Sequence, residues 1–77
     1  MNDLKPLVKL IKMRESKGMT QEQLAKKAKI SRPLLSNIER GYASPSLKSA
    51  YNISKALGST IDEIFFATKA RKTNITA

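Results

Sequence analysis

Residues 19–41 read MTQEQLAKKAKISRPLLSNIERG, and two short helices joined by about three residues account for nearly every position in the stretch. Thr20 followed by Gln23 has the spacing of a capping box, in which the threonine hydroxyl accepts from the Gln23 backbone N–H while the glutamine side chain reaches back. A helix therefore opens at Gln21 and runs to Lys27 or Ala28. Only Lys29 and Ile30 precede Ser31, a good N-cap for a further helix that continues through Arg40 until Gly41 stops it. Pro33 falls in the first turn of that helix, where a missing N–H is tolerated. A link this short between helices that cannot lie antiparallel forces them to cross steeply. The small residue needed at such a crossing is Ala25, and Leu24, Ile30, Leu35 and Ile38 supply apolar contacts around it. The opposite face of the later helix, with Ser31, Arg32, Pro33, Ser36, Asn37 and Arg40, is left free.

Working outward, Leu4, Leu7, Val8 and Ile11 recur at helical spacing with Lys5, Lys9 and Lys12 on the other stripe, so a first helix is expected over about 4–17, with Pro6 in its first turn and Gly18 as its C-terminal stop. Beyond Gly41, residues 42–45 read as a loop and Ser46 as a cap. Leu47, Ala50, Ile53 and Leu57 then form the buried stripe of a fourth helix closed by Gly58. Thr60 to Glu63 is a second capping box, opening a fifth helix with Ile61, Ile64 and Phe65. Nothing alternates with a period of two strongly enough for a strand, and residues 68–77 read either as a frayed basic tail or as a short edge strand. The expected fold is all-α, five helices within residues 1–66 followed by a basic tail, 67–77, that can join a dimer interface. Its core would hold Leu7, Leu10, Ile11, Met19, Leu24, Ala25, Ala28, Ile30, Leu35, Ile38, Leu47, Ile53, Leu57, Ile61, Ile64 and Phe65.

Composition narrows the function. The chain has 77 residues, room for one small core, and it contains neither cysteine nor histidine. Disulfides, thiolate metal sites and the commonest general base are thereby removed, so no metal or cofactor is expected. The carboxylates Asp3, Glu15, Glu22, Glu39, Asp62 and Glu63 sit at caps or on helix faces without clustering, which speaks against an enzyme. Apolar runs such as 64–67 are far short of the roughly 18 residues a membrane span needs, and residues 1–6 lack a secretory h-region, so a cytoplasmic protein is expected. Fifteen Lys plus Arg against six Asp plus Glu give a net charge of +9. The excess is uneven, with ten basic and four acidic groups in residues 1–41, two of each in 42–66, and three basic and none acidic in 67–77. Such a charge favours a polyanionic partner, nucleic acid first and an anionic membrane surface second. The free face of residues 31–40 suits the first: arginine donates bidentately to a guanine edge, asparagine pairs with an adenine edge, and an α-helix fits the major groove. The plain alternative is a solvated surface helix.

With these residues in place, the stretch from Met19 to Gly41 resembles the helix-turn-helix of phage repressors and Xre-type transcriptional regulators. The resemblance extends from Leu7 to Phe65 and includes Ser44-Pro45-Ser46-Leu47 and the ending from Ala56 through Phe65. It implies a lambda-repressor-like domain that binds double-stranded operator DNA as a homodimer, with the helix over residues 31–40 in the major groove, probing bases to repress transcription. It implies no small-molecule ligand, and a bacterial or phage-encoded protein associated with the nucleoid. Carried over residue by residue, Gln21 holds a phosphate at a helix N-terminus. Arg32, Pro33, Ser36 and Asn37, with Ser31 beside them, reach base edges or nearby phosphates. Arg40 and Tyr42 flank the backbone, and Arg14 with Glu39 forms an internal salt bridge. Lys9 and Lys48 are expected to meet phosphate alone. Two positions depart from the pattern: Lys29 stands where the family often has glycine, and Pro33 replaces a polar readout residue, leaving it only a thymine methyl to touch. The dimer interface is expected on the fifth helix and tail, at Ile61, Ile64, Phe65, Phe66 and Ile75. Two rival readings remain: an antitoxin of the same fold that also binds a toxin, and a basic helical module that coats RNA or acidic membranes.

Overall fold

Five helices follow one another in the computed structural model, which describes residues 6–66: α1 (Val8–Ser16), α2 (Gln21–Ala28), α3 (Arg32–Glu39), α4 (Leu47–Ala56) and α5 (Ile61–Phe65). No strand occurs among the described residues. The tail from residue 67, including Ile75, and Leu4 and Lys5 lie outside them. Helix α2 is central, packing on both α3 and α4, while α1 rests on α3 and α5 and α5 closes against α4.

The helix starts are set by hydroxyl side chains. Thr20, Ser31, Ser46 and Thr60 each accept a hydrogen bond from the backbone N–H three residues on, satisfying one otherwise unpaired donor. At Thr20 the box is reciprocal, since the Thr20 N–H donates to Gln23 Oε1 at 2.8 Å. At Thr60 only half of it forms: the Glu63 carboxylate accepts from the Ser59 hydroxyl at 2.7 Å instead of from the Thr60 N–H. Helix α1 starts later than its hydrophobic spacing predicts. Leu7 has φ −85° and ψ 80°, outside the helical region, and its N–H donates to the Glu39 carbonyl at 2.9 Å. That bond pins the chain to the end of α3, so Pro6 precedes the helix instead of occupying its first turn.

Nine residues form the buried cluster: Leu10, Leu24, Ala25, Ala28, Leu35, Ile38, Ile53, Leu57 and Ile64. Leu7, Met19, Ile30 and Phe65 pack against it half-buried. Leu47 is a correction, being 77% exposed although it lies on the periodic stripe of α4. It is the first residue of that helix and stands at the lip of an open groove bordered by Pro45, Phe65 and Phe66, where no other element covers it. The stripe turns inward only from Ala50, and it carries a buried polar group, Ser54, whose hydroxyl donates to the Ala50 carbonyl at 2.8 Å and so needs no outside partner.

The four helix ends that precede a turn share one pattern, in which the last carbonyls accept from the N–H groups of the turn residue and of the residue that follows it: Gly18 and Met19, Lys29 and Ile30, Gly41 and Tyr42, Gly58 and Ser59. The pattern needs a left-handed residue. Gly41 supplies it after α3 with φ 85°, but after α2 the position belongs to Lys29, with φ 60° and ψ 41°. A side chain there costs on the order of 1 to 2 kcal/mol, partly offset by the greater freedom a glycine would lose on folding. Lys29→Gly is expected to stabilise the domain by about 0.5 to 1 kcal/mol, read as a raised urea midpoint at unchanged m-value. A lowered midpoint would show that the turn is not strained.

Candidate nucleic-acid interface

Helix α3 divides cleanly into two faces. Leu35, Ile38 and Glu39 are buried, whereas Arg32, Pro33, Asn37 and Arg40 are exposed and Ser36 is half-buried between them. The outward residues follow helical spacing, so they share one stripe of the surface. Ser31 lies at its upper end; its side-chain oxygen accepts from the Leu34 N–H at 3.2 Å, which leaves the hydroxyl hydrogen free to donate outward. Pro33 takes the second helical position, where an N–H would have no intrahelical acceptor, and presents an apolar ring on the exposed stripe.

The inward face is held by a buried carboxylate. Arg14 Nε donates to Glu39 Oε2 at 2.7 Å and Nη2 donates to Oε1 at 3.2 Å, while Nη1 donates to the Met19 carbonyl at 2.9 Å. The Glu39 side chain is only 2% exposed. A third donor comes from α2, because Gln21 Nε2 reaches Glu39 Oε1 at 2.9 Å. The amide orientation this imposes turns Gln21 Oε1 toward Arg32, whose Nη1 donates to it across 3.4 Å. Gln21 thus links the interior carboxylate to the first exposed residue of α3, and its second amide hydrogen stays available at the N-terminus of α2, where the helix dipole favours an anion. Neither link was legible in the sequence. The one local signal was a lone acidic residue on the inner side of an otherwise neutral or basic helix.

At the far end of α3, the Gly41 turn brings Tyr42 back beside the helix: the Tyr42 N–H donates to the Asn37 carbonyl at 2.8 Å. The Arg40 guanidinium lies 4.4 Å from the centroid of the Tyr42 ring, and both side chains are exposed. Stacking of this kind restrains the cation while leaving its N–H edge pointing to solvent. Gln21, Ser31, Arg32, Pro33, Ser36, Asn37, Arg40 and Tyr42 are therefore all carried on the α2 start, the α3 stripe and the turn that follows it.

A helix-turn-helix family model matches residues 10–64. The chain belongs to the helix-turn-helix family of DNA-binding transcriptional regulators. It is 48% identical over 48 residues, 62% of this chain and 73% of the relative, to an uncharacterized HTH-type transcriptional regulator of Methanocaldococcus jannaschii. With the HTH-type transcriptional activator BcrR of Enterococcus faecalis it shares 43% identity over 56 residues, which cover 73% of this chain but 28% of that protein. Among solved structures, the restriction-modification controller protein C.AhdI of Aeromonas hydrophila is similar with a TM-score of 0.71 and 32% identity, covering 74% of this chain and 86% of that one. The five helices of this helix-turn-helix protein thus form a lambda-repressor-like domain similar in fold to that solved relative.

Removing the Glu39 carboxylate would strand Arg14, whose side chain is 11% exposed, and free Gln21 as well. Glu39→Ala is expected to destabilise the domain by about 3 kcal/mol or more, because the partner charge is left buried without compensation. Thermal unfolding followed by circular dichroism checks this, and a transition midpoint equal to the parent's would contradict it.

Proposed function

We propose that this helix-turn-helix protein is a repressor that binds double-stranded operator DNA as a homodimer, placing α3 in the major groove. The observation that carries the reading is the exposed stripe Arg32, Pro33, Asn37 and Arg40 on a helix whose other side is locked into the core. In this arrangement Arg32 and Asn37 face base edges, Pro33 meets a thymine methyl, and Ser31 and Ser36 donate to bases or adjoining phosphates. Gln21 holds a phosphate with the N-terminus of α2, and Arg40, restrained by Tyr42, holds another. Occupying a promoter asks only for DNA affinity, whereas activation needs a further contact with the transcription machinery, so repression is the reading that requires the fewest surfaces. Residues 1–66 serve as the DNA-binding unit, and the cytoplasm or nucleoid is where such a protein acts.

One short helix reads few base pairs, and two-fold operators require two recognition helices about 34 Å apart. Helix α5 supports a dimer interface, with Phe66 exposed just after it and Ile61 and Phe65 half-buried, whereas Ile64, expected there from the sequence, is buried in the core and leaves the set. Sedimentation is expected to show two chains per palindromic duplex; a single chain both free and bound would exclude the dimer.

Sequence reading is tested at α3. Arg32→Ala and Asn37→Ala should each cost roughly 1 to 3 kcal/mol on a site selected from random duplexes and relax preference at one or two base pairs, with folding unchanged. Lys9→Gln should instead weaken all sequences alike and reduce the slope of log affinity against log salt by about one. If the two α3 substitutions weaken selected and scrambled duplexes equally, α3 does not read bases and the protein is a non-specific coat.

A further inference from the structure

A second basic surface lies away from α3. Lys27 and Lys29, at the end of α2, and Lys48 and Lys55, on α4, line an open cleft of about 410 Å³ with Asn52 and Ala56. No carboxylate and no residue of α3 lines it. All four lysines are exposed, and the one salt bridge among the described residues is Arg14–Glu39, so none of them has a carboxylate partner, although Lys55 Nζ lies 5.7 Å from the centroid of the Tyr51 ring. Asn52 joins the two walls by donating from Nδ2 to the Ala28 carbonyl at 3.4 Å.

Local structure does not account for this convergence. Lys27 suits a helix C-terminus, where a cation complements the dipole. Lys48 sits in the first turn of α4, where a cation opposes the dipole and no acidic residue balances it. Lys29 occupies the left-handed turn position at a cost in strain. Two of the four lysines thus stand against local preference and gain no internal partner, which is the pattern expected where function decides the residue.

The chemistry differs from that of α3. The α3 face offers Arg32, Asn37 and Arg40, groups with fixed geometry, whereas the cleft offers only lysines, compact point charges on flexible stems with no fork to match one ligand. No aromatic ring lines it to stack a base. Repeated phosphates fit such a surface better than a base edge does. Lys27 is six residues beyond Gln21 on α2, a rise of roughly 9 Å, so the cleft addresses phosphates beyond those at the α2 start. We propose that the four-lysine cleft between α2 and α4 is a second, sequence-independent site for the DNA backbone, holding duplex outside the base pairs that α3 reads. The proposal rests on DNA binding through α3 but not on α3 reading bases.

The test uses the full chain with Lys27, Lys29 and Lys55 changed to Gln, Lys48 being left in place because its phosphate could belong to the operator itself, and a companion with the same three changed to Arg, each checked for folding by circular dichroism. Affinity is measured across a salt series on a duplex just covering two half-sites, about 20 base pairs, and on one extended by about 10 base pairs at each side. On the long duplex the Gln variant should lose about 0.9 of salt slope for each phosphate contact removed, roughly two or three in all, and the Arg variant should restore it. On the short duplex parent and variant should match, and the preference for selected over scrambled sequence should be unchanged. The same series on mixed-sequence duplexes reads the cleft even if α3 proves not to discriminate bases. Equal slopes for parent and variant on both lengths would overturn the proposal. So would an equal loss on both lengths, which would mean that the lysines share the phosphates of α3. Lysine-dependent binding of poly-glutamate in preference to duplex would assign the cleft to an acidic protein and overturn it as well.

Discussion

The buried carboxylate of Glu39 is the contact on which the rest of the arrangement depends. An eight-residue helix has too few internal hydrogen bonds to persist by itself, so α3 is held in shape and in angle by what it packs against. Leu35 and Ile38 supply the apolar part of that anchorage, and apolar contacts tolerate sliding and rotation. Glu39 does not, because its oxygens receive three donors from two other elements, Arg14 on α1 and Gln21 on α2. Desolvating a carboxylate is unfavourable unless its partners are well placed, so the low-energy state is the one in which all three elements meet correctly. The rotational setting of α3, and with it the set of side chains it turns outward, follows from that requirement.

Gln21 extends the same constraint to the surface. Its amide is oriented by the interior carboxylate on one side and accepts from Arg32 on the other. The exposed Arg32 guanidinium and the N-terminus of α2 are thereby connected to the core through one side chain. At the other end of α3, the Arg40–Tyr42 stack and the bond from Tyr42 to the Asn37 carbonyl give the turn a comparable definition. Long, flexible side chains lose much entropy in any complex they enter, and the contacts that restrain Arg32, Gln21 and Arg40 in the free protein reduce that loss for the proposed DNA complex.

Six of the chain's fifteen lysines and arginines, Arg32, Arg40, Lys27, Lys29, Lys48 and Lys55, fall on two surfaces of different chemistry. Arg32, Asn37 and Arg40 carry planar groups of fixed donor geometry at α3, whereas the lysines of the α2–α4 cleft are point charges on flexible stems. Lysines at the left-handed turn and in the first turn of α4 work against local preference, in a domain whose buried cluster has only nine residues and whose margin of stability is correspondingly small.

Local chemistry made much of this protein legible without coordinates. Thr20, Ser31 and Ser46 mark helix starts because a hydroxyl at that position satisfies a backbone donor whatever the surroundings, and the spacing of Leu24, Ala25, Ala28, Leu35 and Ile38 defines inner faces because an amphipathic helix has one apolar side. The outward stripe of α3 follows as the complement of its inner face. What local patterning could not supply depended on neighbours distant in sequence. Leu47 keeps the period of α4 yet lies in the open, since periodicity says which side of a helix faces inward but not how far the partner elements extend. Leu7 leaves the helix its spacing implies, since its N–H is taken by the Glu39 carbonyl 32 residues away. The Gln21 bridge and the meeting of Lys27 and Lys29 with Lys48 and Lys55 arise only when α2 is laid against α3 and α4. Sequence by itself determined the helices and their polarity, because those are properties of nearest neighbours along the chain; tertiary structure decided which charges meet, because that depends on the angles at which the helices cross.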